Sequence, residues 1–262
     1  MLAGKSNDEA RPQPPSLGQE NNLRVLAGAG LWQQGRPLRL HLGCGEQHFD
    51  GYLNIDHPPS HHNVMTVRPD AYADILCLSF PDQSVDEVRL HHVFEHFNRV
   101  TALAMLIKWH SWLKEGGQLR LETPDLAGSA KTLSSSRSSW KMKMAAVRHL
   151  AGDQAAPWAY HLDHWFPERY ERTLPRLGFA AVKINATSWP HEPHLANVEV
   201  TATKVRQTAE KQLQAADELL WESTVADVER PTFEVWRAQL RALLNDATLL
   251  PRPSNAAAQQ PN

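Results

Sequence analysis

The sequence predicts an α/β protein in which helices cover both faces of a mostly parallel sheet. Two observations favour this fold class: short apolar segments alternate with segments of helical period, and glycine or proline stands at most of the boundaries between them. The last two strands are expected to pair as a terminal hairpin across a His/Pro loop. The strand-like segments are residues 38–42, 52–56, 73–78, 85–93, 118–125, 179–187 and 197–205.

The clearest helical segment is 99–114, where leucine and isoleucine recur on one side of a helix. Asn98 is available as its N-cap, and the pair Gly116-Gly117 is expected to end it. Shorter helices are predicted within residues 21–32, 126–150 and 166–178.

The chain divides into four predicted parts: a disordered, Pro-rich leader at 1–20, a folded domain at 21–205, a helical extension at 206–250 and a disordered tail at 251–262. Two stretches of the extension, 206–222 and 232–249, have helical period. We expect this helical pair to pack on the sheet domain or to contact a partner, including a second copy of the chain.

Composition excludes several classes of protein. Lys and Arg number 27 against 29 Asp and Glu in 262 residues, and this near-neutral balance argues against a protein that coats nucleic acid or anionic membrane. The sequence has no apolar run long enough to span a membrane and no N-terminal apolar stretch of signal-peptide length. Two cysteines are too few for a disulfide framework. A cytoplasmic location is therefore expected.

A glycine turn between two predicted strands, Gly43-Cys44-Gly45, is the sharpest local signal. Glycine lets a ligand approach main-chain amides, and Asp56 at the tip of the following strand can accept hydrogen bonds from ribose hydroxyls. Together they predict a nucleoside-binding edge at the carboxyl ends of parallel strands. The structural alternative is a tight turn without a ligand and a solvated acid.

Five motifs stand in order within residues 38–125: LGCG (42–45), NID (54–56), FPDxSVDEV (80–88), HVFEHF (92–97) and LKxGGxLxxETPD (113–125). In this order they resemble class I S-adenosylmethionine-dependent methyltransferases, and more narrowly the type 11 branch with members associated with polysaccharide and lipopolysaccharide biosynthesis. A weaker likeness continues through 165–179 to the final hairpin. The resemblance implies a Rossmann-like sheet of seven strands, S-adenosylmethionine as cofactor, and methyl transfer to a small-molecule or glycan acceptor, at oxygen.

The resemblance also implies roles for individual residues. The glycine motif would lie against the methionine part of the cofactor, one acid would hold the ribose, a second acid would meet the adenine amino group, and a histidine would stand beside the sulfonium and face the acceptor. The glycine motif consists of Leu42, Gly43, Cys44 and Gly45. The acid at the ribose is Asp56, the acid at the adenine is Asp74 together with Ile75, and the histidine beside the sulfonium is His92.

One feature departs from the family pattern. Only residues 43–51 separate the first two predicted strands, whereas a parallel crossover normally needs about a dozen residues or more. Either the helix between these strands is reduced to a turn, or the second strand begins later.

The segment His91–His96 is the second candidate for chemistry. His92 or His96 has the unperturbed pKa of a general base that takes a proton from an acceptor hydroxyl, and Glu95 is placed to orient or polarise it. The structural alternative is that these histidines cap the sheet edge or pack against neighbouring phenylalanines. None of His92, Glu95 and His96 is assigned as a metal ligand in this interpretation.

Two other functions remain open from the sequence. His92-x-x-Glu95-His96 fits the H-x-x-E-H pattern of zinc hydrolases, in which two histidines on one helix bind zinc. A non-catalytic domain that binds the cofactor as a scaffold is the other. Two aromatic clusters are candidates for the acceptor pocket or for core packing: Trp158, Tyr160, His161, Asp163, His164 and Trp165, and Trp189, His191, Glu192 and His194.

Overall fold

The computed structural model of the chain describes residues 13–19, 22–62 and 65–245. Its centre is a seven-stranded sheet with the spatial order β3-β2-β1-β4-β5-β7-β6. β7 is antiparallel to both of its neighbours, and the other pairs are parallel. The Rossmann-like, mostly parallel sheet and the terminal hairpin are therefore confirmed. The strands are β1 (Arg39–Leu42), β2 (Leu53–Asp56), β3 (Ala71–Tyr72), β4 (Val85–His91), β5 (Leu113–Pro124), β6 (Phe179–Trp189) and β7 (Glu192–Lys204).

Most helices begin at a side-chain cap. The Asn98 side chain accepts hydrogen bonds from the amides of Val100 and Thr101 at 3.1 and 3.0 Å, which confirms it as the N-cap of the helix predicted from residue 99. The helices are α1 (Asn22–Gly28), α2 (Arg99–Trp112), α3 (Leu126–Ser134), α4 (Trp140–Ala151), α5 (Pro167–Thr173), α6 (Ala209–Trp221) and α7 (Arg230–Asn245).

The two faces of the sheet differ in polarity because side chains alternate along each strand. One face is apolar and packs with α2 in a single core. On its other side α2 packs against α6 and α7, so 11 of its 14 residues are buried. The apolar face consists of Leu40, Leu42, Ile55, Val88, Leu90, Leu119, Leu121, Val198 and Val200.

The opposite face is polar around β1, and a loop covers it. Residues 43–52, all of them described, contain turns but no helix, so the connection from β1 to β2 is the reduced one that the short spacing allows. The Phe49 ring stands 4.7 Å from the His41 ring, and the Arg89 guanidinium lies 3.9 Å from the Phe49 ring centre. Phe49 thus covers the part of the sheet where a crossover helix would pack.

Two predicted boundaries are wrong. Residues 73–78 are not a strand, since β3 is only Ala71–Tyr72 and Ile75–Cys77 form a 3₁₀ turn; the carboxylate of Asp74 begins this turn by accepting from the amide of Leu76 at 2.9 Å. The Gly116-Gly117 pair does not end α2 but lies within β5. There the register against β4 shifts, and Gly116 has a φ of 79° that suits an irregular strand.

The segment 13–19 lies along the free edge of β3. The amide of Leu17 donates to the Tyr72 carbonyl at 2.7 Å, the Tyr72 amide donates to the Pro15 carbonyl at 2.8 Å, and the Leu17 side chain is buried. This part of the chain is ordered, in contrast to the structureless leader that composition predicts. The rest of the predicted leader and the predicted tail at 251–262 lie outside the described residues.

The helical extension packs on its own chain. Asp217 of α6 accepts hydrogen bonds from Arg241 of α7 at 2.8 and 2.6 Å and from Arg237 at 3.1 Å, which joins the two helices. Contact with a partner through this extension stays a prediction. Within 13–19, 22–62 and 65–245, none of the helices is both long and apolar enough to cross a membrane.

Candidate functional site

The glycine turn follows β1 directly. Gly43 and Gly45 have φ angles of 70° and 54°, in the left-handed region that favours glycine. A Cβ on Gly43 would lie 2.5 Å from Cγ2 of Val93, whereas the nearest neighbour of a Cβ on Gly45 would be the Met65 sulfur at 3.8 Å. Gly43 is therefore required for close packing against the segment after β4, while Gly45 has room beside it.

Asp56 ends β2 and is held by main-chain amides. Its Oδ2 accepts from the Gly45 amide and its Oδ1 from the His57 amide, both at 2.6 Å. His62 Nε2 lies 3.1 Å from Oδ1, yet both ring nitrogens of His62 are buried without a hydrogen-bond partner among the described residues. Each carboxylate oxygen of Asp56 can accept a further hydrogen bond, and the His62 ring lacks a partner among the described residues. Ligand hydroxyls could bind to both side chains, so the residues present fit the ribose of a nucleoside.

The second predicted acid lies at the same edge. Asp56 pairs with Tyr72 of β3, so Asp74 follows the neighbouring strand, and its side chain is exposed while Ile75 is buried. Burial lowers the pKa of His57, and the nearby Asp74 and Asp56 partly oppose this shift. His57 therefore lies within electrostatic reach of both carboxylates.

The side chains of the remaining residues of the glycine motif, Leu42 and Cys44, are buried. The Leu42 side chain is fully buried in the core. Burial raises the pKa of the Cys44 thiol to about 12, and the neighbouring Asp56 and Asp70 add to the shift. The thiol is therefore protonated near neutral pH and is not a nucleophile.

His92 follows the last residue of β4 with a φ of 54°. Its Nδ1 lies 3.3 Å from Glu95 Oε1 and its Nε2 lies 3.6 Å from Glu122 Oε1. Burial alone would lower the pKa of His92, but Glu122 and Glu95 raise it to about 9. The His92 ring also lies 5.4 Å from the ring of Trp189 and 5.7 Å from that of His149.

Glu95 and His96 belong to a 3₁₀ turn, Phe94–His96, that follows β4. The Glu95 side chain is 2% exposed; burial would raise its pKa, but contact with His92 lowers it. His96 Nδ1 lies 3.1 Å from the Tyr160 carbonyl, and the rings of His96 and His161 are 4.7 Å apart. Burial lowers the pKa of His161 to about 4, so its imidazole is neutral.

This geometry lacks the helix of the zinc-hydrolase pattern. In that pattern two histidines one turn apart on a helix hold the metal, but here residues 85–97, all described, comprise a strand, a left-handed residue and a three-residue turn.

The two aromatic clusters divide between core and edge. Trp165 is fully buried against the rings of Phe94 and Tyr170, at 4.8 and 4.7 Å, and is a core residue. Trp189 is 42% exposed and faces His92. The indole N–H of Trp158 donates to the His61 carbonyl at 2.7 Å, beside the His62 ring.

The structure adds four residues that the sequence interpretation missed at this edge: His57, His62, Glu122 and His149. Glu122 could have been found, because it is an acid near the end of a predicted strand that precedes Pro124-Asp125. His57 and His62 lie in an aperiodic loop, and His149 lies in a helix far along the chain. Their proximity depends on tertiary contacts.

No family model matches the sequence, and no curated protein matches it. Several solved structures are similar in fold. One is a SAM-dependent methyltransferase from Methanosarcina mazei, with 15% identity, a TM-score of 0.42 and coverage of 70% of this chain and 98% of that chain. Another, from Mesorhizobium loti, has 16% identity, a TM-score of 0.42 and coverage of 69% and 96%.

A third similar structure is the 1,6-didemethyltoxoflavin-N1-methyltransferase of Burkholderia thailandensis with bound 1,6-didemethyltoxoflavin and S-adenosylhomocysteine. It has 14% identity, a TM-score of 0.41 and coverage of 70% of this chain and 76% of that chain. These structural neighbours are S-adenosylmethionine-dependent methyltransferases. The likeness concerns the fold, and no residue role is taken from it.

Proposed function

We propose that this chain is an S-adenosylmethionine-dependent methyltransferase. The observation that carries the proposal is the carboxylate of Asp56, which ends β2, is fixed 2.6 Å from the Gly45 amide and lies beside the unsatisfied ring of His62. Asp56 would hold the ribose hydroxyls, as an acid at this place does in nucleoside sites. The main chain of 43–45 would lie along the methionine part, and Asp74 with Ile75 would meet the adenine.

When bound, S-adenosylmethionine supplies a methyl group whose carbon–sulfur bond breaks with the electron pair on sulfur, while an acceptor oxygen forms the new bond and its proton leaves to a base. The protein's main task is to align the acceptor with this methyl group, and alignment alone can supply on the order of several kcal/mol. His92 and His96 are the proposed proton acceptors, and Glu95 orients His92 across 3.3 Å. Because Glu122 and Glu95 raise the pKa of His92 to about 9, His92 can accept a proton only in its minor neutral form at neutral pH, which favours His96 as the base.

We propose a small-molecule or glycan acceptor that is methylated at oxygen. The half-exposed Trp189 ring, 5.4 Å from His92, supports this because an aromatic face beside hydrogen-bonding groups suits sugars and flat rings. Membership of the polysaccharide-associated branch stays part of this proposal. A cytoplasmic location is also proposed, supported by the two cysteines of the sequence, which are too few for a disulfide framework.

Calorimetric titration with S-adenosylhomocysteine tests the cofactor assignment. We expect micromolar binding that weakens by about 100-fold or more in Asp56→Ala, since two charge-assisted hydrogen bonds contribute about 1.5–3 kcal/mol each. Asp56→Asn retains the shape of the side chain and tests whether the charge is needed. The matched control is Asp50→Asn, which changes an exposed acid of the loop between β1 and β2. This variant should bind normally.

Equal binding by wild type and both Asp56 variants would contradict the assignment. Turnover with a panel of hydroxylated acceptors and methyl-labelled cofactor then separates the enzyme from a scaffold. Binding without transfer to any acceptor would favour the scaffold function.

A further inference from the structure

Three side chains beyond the carboxyl end of β4 form what we call the Glu95 cluster: Glu95, His96 and His161. One ligand atom from each lies within 4.8 Å of the others. The side chains of Glu95 and His161 are 2% and 11% exposed, whereas His96 is only partly buried. Glu95 and His161 are therefore nearly closed to solvent, and a ligand can reach the cluster from the side of His96.

The buried polar atoms of the cluster are unsatisfied. Both carboxylate oxygens of Glu95 and Nδ1 of His161 lack a hydrogen-bond partner within the described part of the chain. His161 Nε2 is 3.8 Å from Glu95 Oε1, too far for a hydrogen bond. The His92 ring, 3.3 Å from Glu95 Oε1, offsets part of the charge of this carboxylate but makes no hydrogen bond to it. Glu95 and His161 therefore keep unsatisfied ligand atoms in a buried place, which a metal ion would satisfy.

The protein positions the two histidines in advance. Since a carbonyl only accepts, the 3.1 Å contact between His96 Nδ1 and the Tyr160 carbonyl requires a proton on Nδ1 and leaves the lone pair on Nε2. The amides of Leu162 and Asp163 donate to the Glu95 carbonyl at 2.8 and 3.3 Å, which ties the His161 segment to the turn of Glu95. A histidine whose other nitrogen donates to a carbonyl is the usual arrangement of a metal ligand.

A neighbouring set, which also contains two histidines and one glutamate, differs from the Glu95 cluster in how its carboxylate is paired. His91, His92 and Glu122 also lie within 4.8 Å of one another. There, however, Glu122 is already paired with His91 at 3.0 Å and with His92 at 3.6 Å. Each oxygen of Glu122 thus faces a histidine of its own set. In the Glu95 cluster, Oε1 faces His92, which lies outside the cluster, and Oε2 has no hydrogen-bond partner among the described residues.

We propose that the Glu95 cluster binds one divalent ion of the first transition row, with Glu95, His96 Nε2 and His161 as ligands. Two imidazoles and one carboxylate suit Zn²⁺, Fe²⁺ or Co²⁺ and leave a coordination position open. Ligand atoms on one tetrahedral ion lie about 3.4 Å apart, so the cluster contracts by roughly 1 Å on binding. The ligand set differs from the zinc-hydrolase pattern, because Glu95 is a ligand and His92 is not.

A consequence for the reaction rests on the proposed function. An acceptor hydroxyl on the open position would lose its proton to solvent more readily, because a bound cation lowers the pKa of a coordinated hydroxyl. His96 would then be a ligand rather than the base. When the ion takes five ligands, the acceptors favoured by such a site carry a second oxygen next to the hydroxyl, so that both oxygens can bind to the ion.

Metal titration of the full-length chain tests the proposal. The protein is stripped with a chelator and titrated with ZnCl₂ or CoCl₂, following heat and the visible absorption of Co²⁺. We expect one ion per chain, a cobalt spectrum typical of four or five ligands including nitrogen, and affinity at least tenfold weaker in both Glu95→Gln and His161→Ala. Glu192→Gln removes the exposed carboxylate that lies 3.4 Å from His194 and is the matched control, with unchanged affinity expected.

Absence of binding below about 1 mM in the wild type, or unchanged affinity in both cluster variants, would overturn the proposal. So would loss of binding in Glu122→Gln together with normal binding in Glu95→Gln, because the ion would then occupy the other set. If a cluster variant does not fold, as judged by circular dichroism, His96→Gln replaces it. S-adenosylhomocysteine binding is measured on the same samples, so failure of metal binding alone leaves the proposed function standing, and the reverse also holds.

Discussion

Gly43 shows why a residue of a ligand-binding motif can be required without touching a ligand. Its missing side chain leaves space for Val93, which would be 2.5 Å from a Cβ at this position. Val93 immediately follows His92, so this contact fixes the segment of the catalytic candidates against the turn after β1. The glycine motif therefore couples the two halves of the candidate site through packing.

Replacement of Gly43 is expected to destabilise the fold. Gly43→Ala should lower the free energy of unfolding by about 2–5 kcal/mol, because a non-glycine residue at positive φ costs about 1–3 kcal/mol and overpacking adds about as much. Urea denaturation measures this change, and Val93→Ala in the same chain should recover part of it. Gly35→Ala is the control, because Gly35 has a φ of 87° and, among described residues, no atom within 4 Å of an added Cβ. Equal losses in Gly35→Ala and Gly43→Ala would contradict the packing explanation.

Single residues differ in how far the sequence alone could place them. Asp56 could be placed because a strand-like run ends on it, and the residue at the end of a strand faces the same edge in any parallel sheet. His62 could not be placed, because its loop has no periodicity and only the folded chain brings it to 3.1 Å from Asp56. His161 was predicted in an aromatic cluster, but its position beside Glu95 depends on the hydrogen bonds from the amides of Leu162 and Asp163 to the Glu95 carbonyl. These span 67 and 68 residues of the sequence (162 − 95 and 163 − 95).

At the scale of elements, α2 was predicted with one apolar side but is buried around most of its surface. The pattern of 99–114 detects the side that faces the sheet, whereas the outer side is buried only because α6 and α7 return across it. Periodicity reports burial against one layer and does not indicate a second layer supplied from the end of the chain. Pattern also fails at β3. The apolar run 73–78 was predicted as a strand, but the carboxylate of Asp74 begins a turn there.

The ion pairs between Asp217 of α6 and the two arginines of α7 are expected to weaken in acid. Burial would raise the pKa of Asp217, but hydrogen bonds from Arg241 lower it below the usual 3.8. The folded state therefore binds fewer protons than the unfolded state, so this contribution is present above pH 3.8 and disappears as the pH falls through the lowered pKa. Asp217→Asn should be less stable than wild type by about 0.5–1 kcal/mol at pH 6, allowing for solvent screening, and this difference should be smaller at pH 2.5.

Urea denaturation at the two pH values measures the Asp217 effect. Glu210→Gln, an exposed acid in the first turn of α6, is the control and should not change the pH dependence. A difference between wild type and Asp217→Asn that is as large at pH 2.5 as at pH 6 would show that the carboxylate contributes through packing rather than charge.

At the scale of the whole molecule, the sheet packs against α2, and α2 packs against α6 and α7. The apolar sheet face, α2 and the pair α6–α7 share one core, and Leu240 of α7 is as fully buried as Leu40 of β1. The carboxyl ends of the strands collect the charged and histidine side chains at one edge, while the C-terminal helices support the opposite side of α2. The extension therefore belongs to the core that carries the site.

A buried residue of α7 should consequently control the stability of the sheet. Leu240→Ala is expected to lower the free energy of unfolding by about 2–5 kcal/mol, the range for a leucine removed from a core, whereas Val235→Ala, which is 55% exposed in the same helix, should change it by less than about 0.5 kcal/mol. Native-state hydrogen exchange followed by mass spectrometry measures both variants. In Leu240→Ala, amides of β4 and β5 should lose protection by the same free energy as those of α7, since one core unfolds in one step. Loss of protection confined to α6 and α7, with β5 unchanged, would show that the extension is a separate unit.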